Sequence, residues 1–93
     1  MKNQETYKLI DGTFSAAESS EILLNIFSSK IQFHELKNFS ALERTGKNDP
    51  ASIKRIPQLK KSMQSITKLL NAAAKKKESV EIRAEVNIQI IKK

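Results

Sequence analysis

Residues 51–77 read ASIKRIPQLKKSMQSITKLLNAAAKKK, and two periodicities run through them. Ile56, Leu59, Met63, Ile66, Leu70 and Ala73 step by 3, 4, 3, 4 and 3, the spacing that keeps a narrow apolar seam on one side of a helix. Lys54, Lys61, Lys68 and Lys75 recur at every seventh position on the far side. The stretch holds eight Lys or Arg and no Asp or Glu, so none of these charges is neutralised by a neighbour on the same helix. Pro57 lies inside the pattern, where its missing N–H and its ring predict a kink near Ile56. The seam continues across it, which indicates a bend and not a break.

Upstream, residues 46–50 read as a hinge between helical segments: Gly46 offers a left-handed stop, Asp49 an N-cap and Pro50 a first helical residue. Before the hinge, Ser15 followed by Glu18 has the spacing of a capping box and starts a helix at Ala16. Leu23, Leu24, Phe27, Ile31 and His34 share one arc of that helix, widened by Ile22, Ile26 and Phe33, with Glu18, Glu21, Asn25, Ser28 and Gln32 opposite. Leu36 and Phe39 leave the arc, so the helix is predicted to end near 35–37. A second capping spacing, Ser40 to Glu43, predicts a separate short helix over 40–45. At the start of the chain TYKLI, residues 6–10, predicts a short strand stopped by Asp11 and Gly12.

Downstream of the lysines the period changes to strict alternation over 80–91. Val80, Ile82, Ala84, Val86, Ile88 and Ile90 point one way and Glu81, Arg83, Glu85, Asn87 and Gln89 the other, the pattern of a half-buried strand. Such a strand spans about 40 Å, as does the helix before it, so it can run back along that helix. The elements define an α+β fold in the order β-α-short α-α-β: two main helices as a hairpin packed on a small antiparallel sheet, in a single domain covering residues 1–93. The first strand, about 17 Å long, is too short for its partner. The residues Val80, Ile82, Ala84, Val86, Ile88 and Ile90 are therefore assigned to a strand-pairing edge, and the sheet is expected to be extended by homodimerisation.

Composition narrows the function classes. The net charge is +7, and it is lopsided: residues 1–46 hold five basic and six acidic side chains, residues 47–93 twelve and four. That favours anionic partners through long-range attraction. With no cysteine, disulfides and thiolate metal sites are excluded. The longest apolar run is Ile22 to Leu24, and residues 1–5 lead into no signal-peptide core, so a soluble cytoplasmic protein is expected.

Few residues could carry catalysis. His34 is the only histidine, and a zinc site needs three or four N, O or S ligands, so neither a metal nor a cofactor is expected. The ring reads as partly buried and bonded to a backbone carbonyl. Asp11 and Asp49 suit turn and capping roles, and the two glycines, Gly12 and Gly46, are too few for a phosphate-cradling loop. The sequence is read as non-enzymatic, with no small-molecule substrate. The candidate site is the lysine row with its flanking cations: Lys54, Arg55, Lys60, Lys61, Lys68, Lys75 and Lys76. Successive lysines of the row stand about 10.5 Å apart along the axis. Position f of a seam-bearing helix also faces water and is commonly lysine, whatever the function. The chain has three arginines against fourteen lysines and no tryptophan, which leaves base readout and base stacking poorly supplied. The reading is a non-catalytic binding or adaptor module that recognises a macromolecular partner through the basic helix face. The alternative is a nucleic-acid-binding protein making non-specific phosphate contacts. A membrane-lying helix ranks last, because the apolar side is narrow and the strand needs it.

Overall fold

A computed structural model describes residues 3–92 of the chain. Met1, Lys2 and Lys93, which the leader and charge readings include, lie outside the described residues. The elements are β1 (Gln4–Phe14), α1 (Ala16–Thr45), α2 (Pro50–Lys75) and β2 (Val80–Gln89). The α+β class, the helical hairpin and the antiparallel sheet are those the sequence indicates. The order is β-α-α-β, without the separate short helix.

α1 begins where its capping box places it. Ser15 Oγ accepts from the Glu18 amide at 3.1 Å, and Glu18 Oε1 accepts from the Ser15 amide at 2.9 Å. The helix then runs unbroken to Thr45, so the expected end near 35–37 and the restart over 40–45 are corrected. No Gly or Pro lies between Ala16 and Thr45, and extending a helix costs far less than nucleating a second one. It stops at Gly46, which takes φ 73° and donates its N–H to the Leu42 carbonyl. A side chain there would be strained by the left-handed backbone alone. α2 starts with Asp49 as N-cap and Pro50 at its head and continues through Pro57 without interruption.

β1 and β2 pair antiparallel over almost their whole lengths, from Gln4 opposite Gln89 to Phe14 opposite Val80. Three expectations change here. β1 does not stop at Asp11 and Gly12: Asp11 lies opposite Arg83 and Gly12 opposite Ile82, and the strand continues to Phe14. A Cβ on Gly12 would stand 3.2 Å from the Phe14 ring, so the glycine marks where that ring folds back over the strand. The two strands are consequently matched in length, and the mismatch that suggested dimerisation is absent. β2 itself ends at Gln89, although the Ile90 amide still donates to the Asn3 carbonyl at 2.7 Å.

A one-residue insertion at Leu9 sets the phase of the sheet. Lys8 faces Glu85 and Ile10 faces Ala84, leaving Leu9 without a partner. The bulge switches the parity of β1, so Tyr7 and Ile10 share a face although their separation is odd. It also puts Lys8 and Asp11 on the same polar face, where they pair at 3.2 Å. The apolar face then carries Phe14, Ile10 and Tyr7 beside Val80, Ile82, Ala84, Val86 and Ile88.

That face is covered at one end only. Ile82 is buried, and Val80, Ala84, Ile10 and Phe14 are half-buried next to the first turns of α1, where Ala16 and Ser19 are also buried. Farther along, Tyr7 is 51%, Val86 38%, Ile88 45% and Ile90 62% exposed. The described molecule measures 50 × 39 × 15 Å. Two helices of these lengths side by side occupy about 45 × 15 Å, so the ribbon sets the second dimension and projects beyond the hairpin. It does not run back along α2 as its length allowed. The radius of gyration is 16.9 Å, against about 12 Å for a compact chain of this length.

Two serines at the start of α1 are expected to behave oppositely. The Ser19 hydroxyl is fully buried and has no hydrogen-bond partner among the described residues. Ser19→Ala should raise stability by about 1 kcal/mol, since it removes a desolvated hydroxyl that gains nothing in return. Ser15→Ala should lower it by about 1 kcal/mol through loss of the cap. Urea unfolding followed by circular dichroism checks both signs.

Candidate functional site

The phase of α2 is set by its packing on α1. Leu59 and Leu70 are buried, and Ile56, Met63, Ile66 and Ala73 are half-buried, so the whole seam faces inward. From α1, Ile31 is buried and Leu23, Phe27 and His34 are half-buried. Phe33, which widened the expected arc, is exposed instead, and Lys30 Nζ lies 5.0 Å from its ring centre. Leu36, Phe39 and Leu42 are exposed along the same end of α1. Their departure from the arc was the available signal; it marks an outward face of a continuous helix and not a helix end.

At the hinge, polar side chains from both helices meet. Ser52, fully buried, donates its hydroxyl to Asp49 Oδ2 at 2.6 Å and its amide to the same oxygen at 3.1 Å. His34 Nδ1 lies 3.1 Å from Ser52 Oγ. The serine has one hydroxyl proton and gives it to Asp49, so the imidazole is the donor and carries its hydrogen on Nδ1. Asn38 Oδ1 accepts from the Asp49 amide at 2.6 Å, and Asn38 Nδ2 donates to Asn48 Oδ1 at 3.0 Å. The backbone carbonyl expected beside His34 is replaced by the Ser52 hydroxyl. The pattern that hinted at this is the placing of His34 and Asn38, four apart, on the inward side of α1.

His, Ser and Asp thus come together, but in an order unlike that of a nucleophilic triad. An activated serine gives its proton to histidine. Here the serine proton points at the aspartate, and Ser52 is closed to solvent. The cluster joins two helices. Among the described residues no group of three or more His, Cys, Asp or Glu side chains could hold a metal ion. No helix of the described residues is long and apolar enough to cross a membrane.

On the opposite side of α2, Lys54, Lys61, Lys68 and Lys75 are all exposed, as are Arg55, Lys60 and Lys76. The row drifts by about 20° per seven residues, which keeps it on one side over about 32 Å. None of these cations meets a carboxylate: the ion pairs among the described residues, Lys8 with Asp11 and Arg83 with Glu81, both belong to the sheet. Arg55 donates to the neutral Gln58 at 3.0 Å. Between Lys60 and Lys68 the surface dips into a shallow open groove lined by Met63, Gln64 and Thr67. The Thr67 hydroxyl is tied to the Met63 carbonyl at 2.8 Å. Neither the models of known protein families, nor the curated proteins, nor the solved structures include one that matches this chain.

The Asp49 carboxyl is held below its ordinary value, chiefly by the hydrogen bond from the Ser52 hydroxyl. Desolvation is the next largest effect and opposes this, while the Ser52 amide and the charges of Lys37 and His34 add to the lowering. A carboxyl depressed in the folded state stabilises the fold above its unfolded pKa, and that contribution is lost as pH falls through the folded value. The acid limb of the stability curve is therefore expected to be shallower in Asp49→Asn, which keeps a capping side chain but cannot titrate. Thermal unfolding between pH 5 and the acid transition measures this, and unchanged limbs would count against the role given to Asp49.

Proposed function

We propose that the protein is a non-catalytic binding module that docks an acidic macromolecular surface on the exposed cation face of α2. The observation that carries this reading is that the four lysines of the row and the three cations flanking it all stand in solvent, and no ion pair among the described residues joins any of them to a carboxylate. Chains that use such a helix face for solubility alone commonly lace it with glutamates at i±4, and α2 contains no acidic residue. The groove between Lys60 and Lys68 supports a proteinaceous partner, since it offers an apolar footing between two lysines. The shortage of arginines and tryptophan works against base recognition.

A labelled polyglutamate peptide should bind at low ionic strength and be released by salt. Replacing Lys54, Lys61, Lys68 and Lys75 by glutamine should abolish this while leaving the helical circular dichroism intact, because all four side chains point away from the seam. Undiminished binding by that variant removes the reading. A labelled DNA duplex serves as the comparison. Tighter binding of the duplex, with a log–log salt slope that falls by about 3.6 in the variant, would favour phosphate contacts instead.

A further inference from the structure

We infer that the free edge of β2 pairs with the same edge of a second copy of the chain, antiparallel about a two-fold axis through Ala84, giving a four-stranded sheet. This interface is separate from the cation face of α2 and stands without it. Four observations support it.

The first is area. The chain exposes 7704 Å², whereas a compact monomer of its mass exposes about 5,400 Å². The excess of about 2,300 Å² is more than the roughly 800 Å² that each partner of a standard interface buries, and it lies in the range of obligate homodimers. The open half of the sheet, with Tyr7, Val86, Ile88 and Ile90, accounts for part of it.

The second is the difference between the two edges. β1 is interrupted by the Leu9 bulge and by Gly12, and bulges blunt an edge against pairing. β2 runs for ten residues with no Gly, no Pro and no irregularity of its own, which makes it a ready template for another strand.

The third is charge. An antiparallel copy centred on Ala84 sets Arg83 against Glu85 of the second copy and Glu85 against its Arg83. Within each ribbon Arg83 already lies opposite Asp11, and Glu85 opposite Lys8. Across the four strands the polar face then alternates in sign along both rows. Cross-strand pairs of opposite charge are favourable, and a two-fold axis uses each one twice. The Arg83–Glu81 contact within β2 is solvent-exposed on both sides and leaves the guanidinium free to share.

The fourth is cover for the apolar face. The same register puts Val86 beside Ile82 of the second copy and Ile88 beside its Val80. The uncovered half of each ribbon therefore lies beside the helix-covered half of the other. A two-fold axis normal to the sheet keeps both apolar faces on the same side, where the helices of each copy stand next to the open residues of the other. The sheet face that is incomplete in one chain is completed by the pair.

Sedimentation equilibrium of the unmodified chain at tens of micromolar should give twice its 10.5 kDa, and the single-chain mass would overturn the proposal without any variant having to fold. Register is tested by Ala84→Cys in a chain that has no other cysteine. Paired Cα atoms across an antiparallel ladder stand about 4.5–5.5 Å apart, inside the disulfide range, so mild oxidation should cross-link the variant into a covalent dimer. Thr6→Cys, on the outer strand, should remain uncross-linked; the reverse result would place the pairing on β1 and overturn it. Arg83→Glu and Glu85→Arg should each weaken self-association at least tenfold, since each sets like charges together twice between the copies, in addition to one like pair within each ribbon that mixing the two does not relieve. Mixed one to one, they should recover a dimer containing one of each. Failure of the mixture to associate more tightly than either variant alone would also overturn the proposal.

Discussion

One hydroxyl satisfies two helices at once, and much of the molecule follows from it. Ser52 Oγ gives its proton to Asp49, the N-cap of α2, and receives one from His34 of α1. Asn38 takes the Asp49 amide from the other side. Because these groups are short, partly or fully buried and bonded in sequence, they fix the rotation of α2 about its axis as well as its distance from α1. Rotating α2 by one residue would break the cluster and expose Leu59 and Leu70 together. With the seam held inward, the lysine row has only solvent to face. The polar cluster at the turn and the apolar seam thus agree on which side of a helix of about 39 Å is presented to other molecules.

The ribbon is governed by a different rule. It pairs β1 with β2 across about seventy intervening residues, so its pairing carries the larger loop-closure cost. Its phase depends on the Leu9 insertion. Without that extra residue, strict alternation would place Tyr7 with Leu9, and Lys8 could not meet Asp11 on one face. The helices cover only the end of the ribbon next to α1. In a chain with so small a core, an apolar sheet face left half open is a substantial loss of burial, and it is the feature that most separates this molecule from a self-sufficient monomer.

The parts that were legible in the sequence are those with a repeating or short-range cause. The seam of α2 repeats from Ile56 to Ala73, so the exposure of Lys54, Lys61, Lys68 and Lys75 follows from the spacing alone. The Ser15–Glu18 box, the Gly46 stop, the Asp49–Pro50 start and the two faces of β2 each follow from chemistry within a few residues. What could not be read depended on distant partners. Asp11 and Gly12 have the composition of a turn, yet Arg83, Ile82 and the Phe14 ring hold them in a strand. Ser40 and Glu43 have capping spacing, yet nothing between them and Ala16 breaks the helix, so they lie in its interior. A bulge leaves no local mark, and the meeting of His34 with Ser52 requires the hairpin to be closed.

The two surfaces left free by the fold impose different demands. A lysine row does not need a particular register: charge acts at a distance, tolerates sliding, and weakens with salt. A strand edge needs one register, because a shift by a single residue turns its apolar side chains outward. The first suits a partner recognised by its sign, the second one recognised by shape. Joined through β2, two chains would carry two lysine rows on one rigid body. An acidic surface broad enough to reach both would then meet the second row at high effective concentration, gaining avidity without any new contact. A surface able to reach one row would gain nothing. The breadth of the partner, more than its charge density, would then set how tightly it is held.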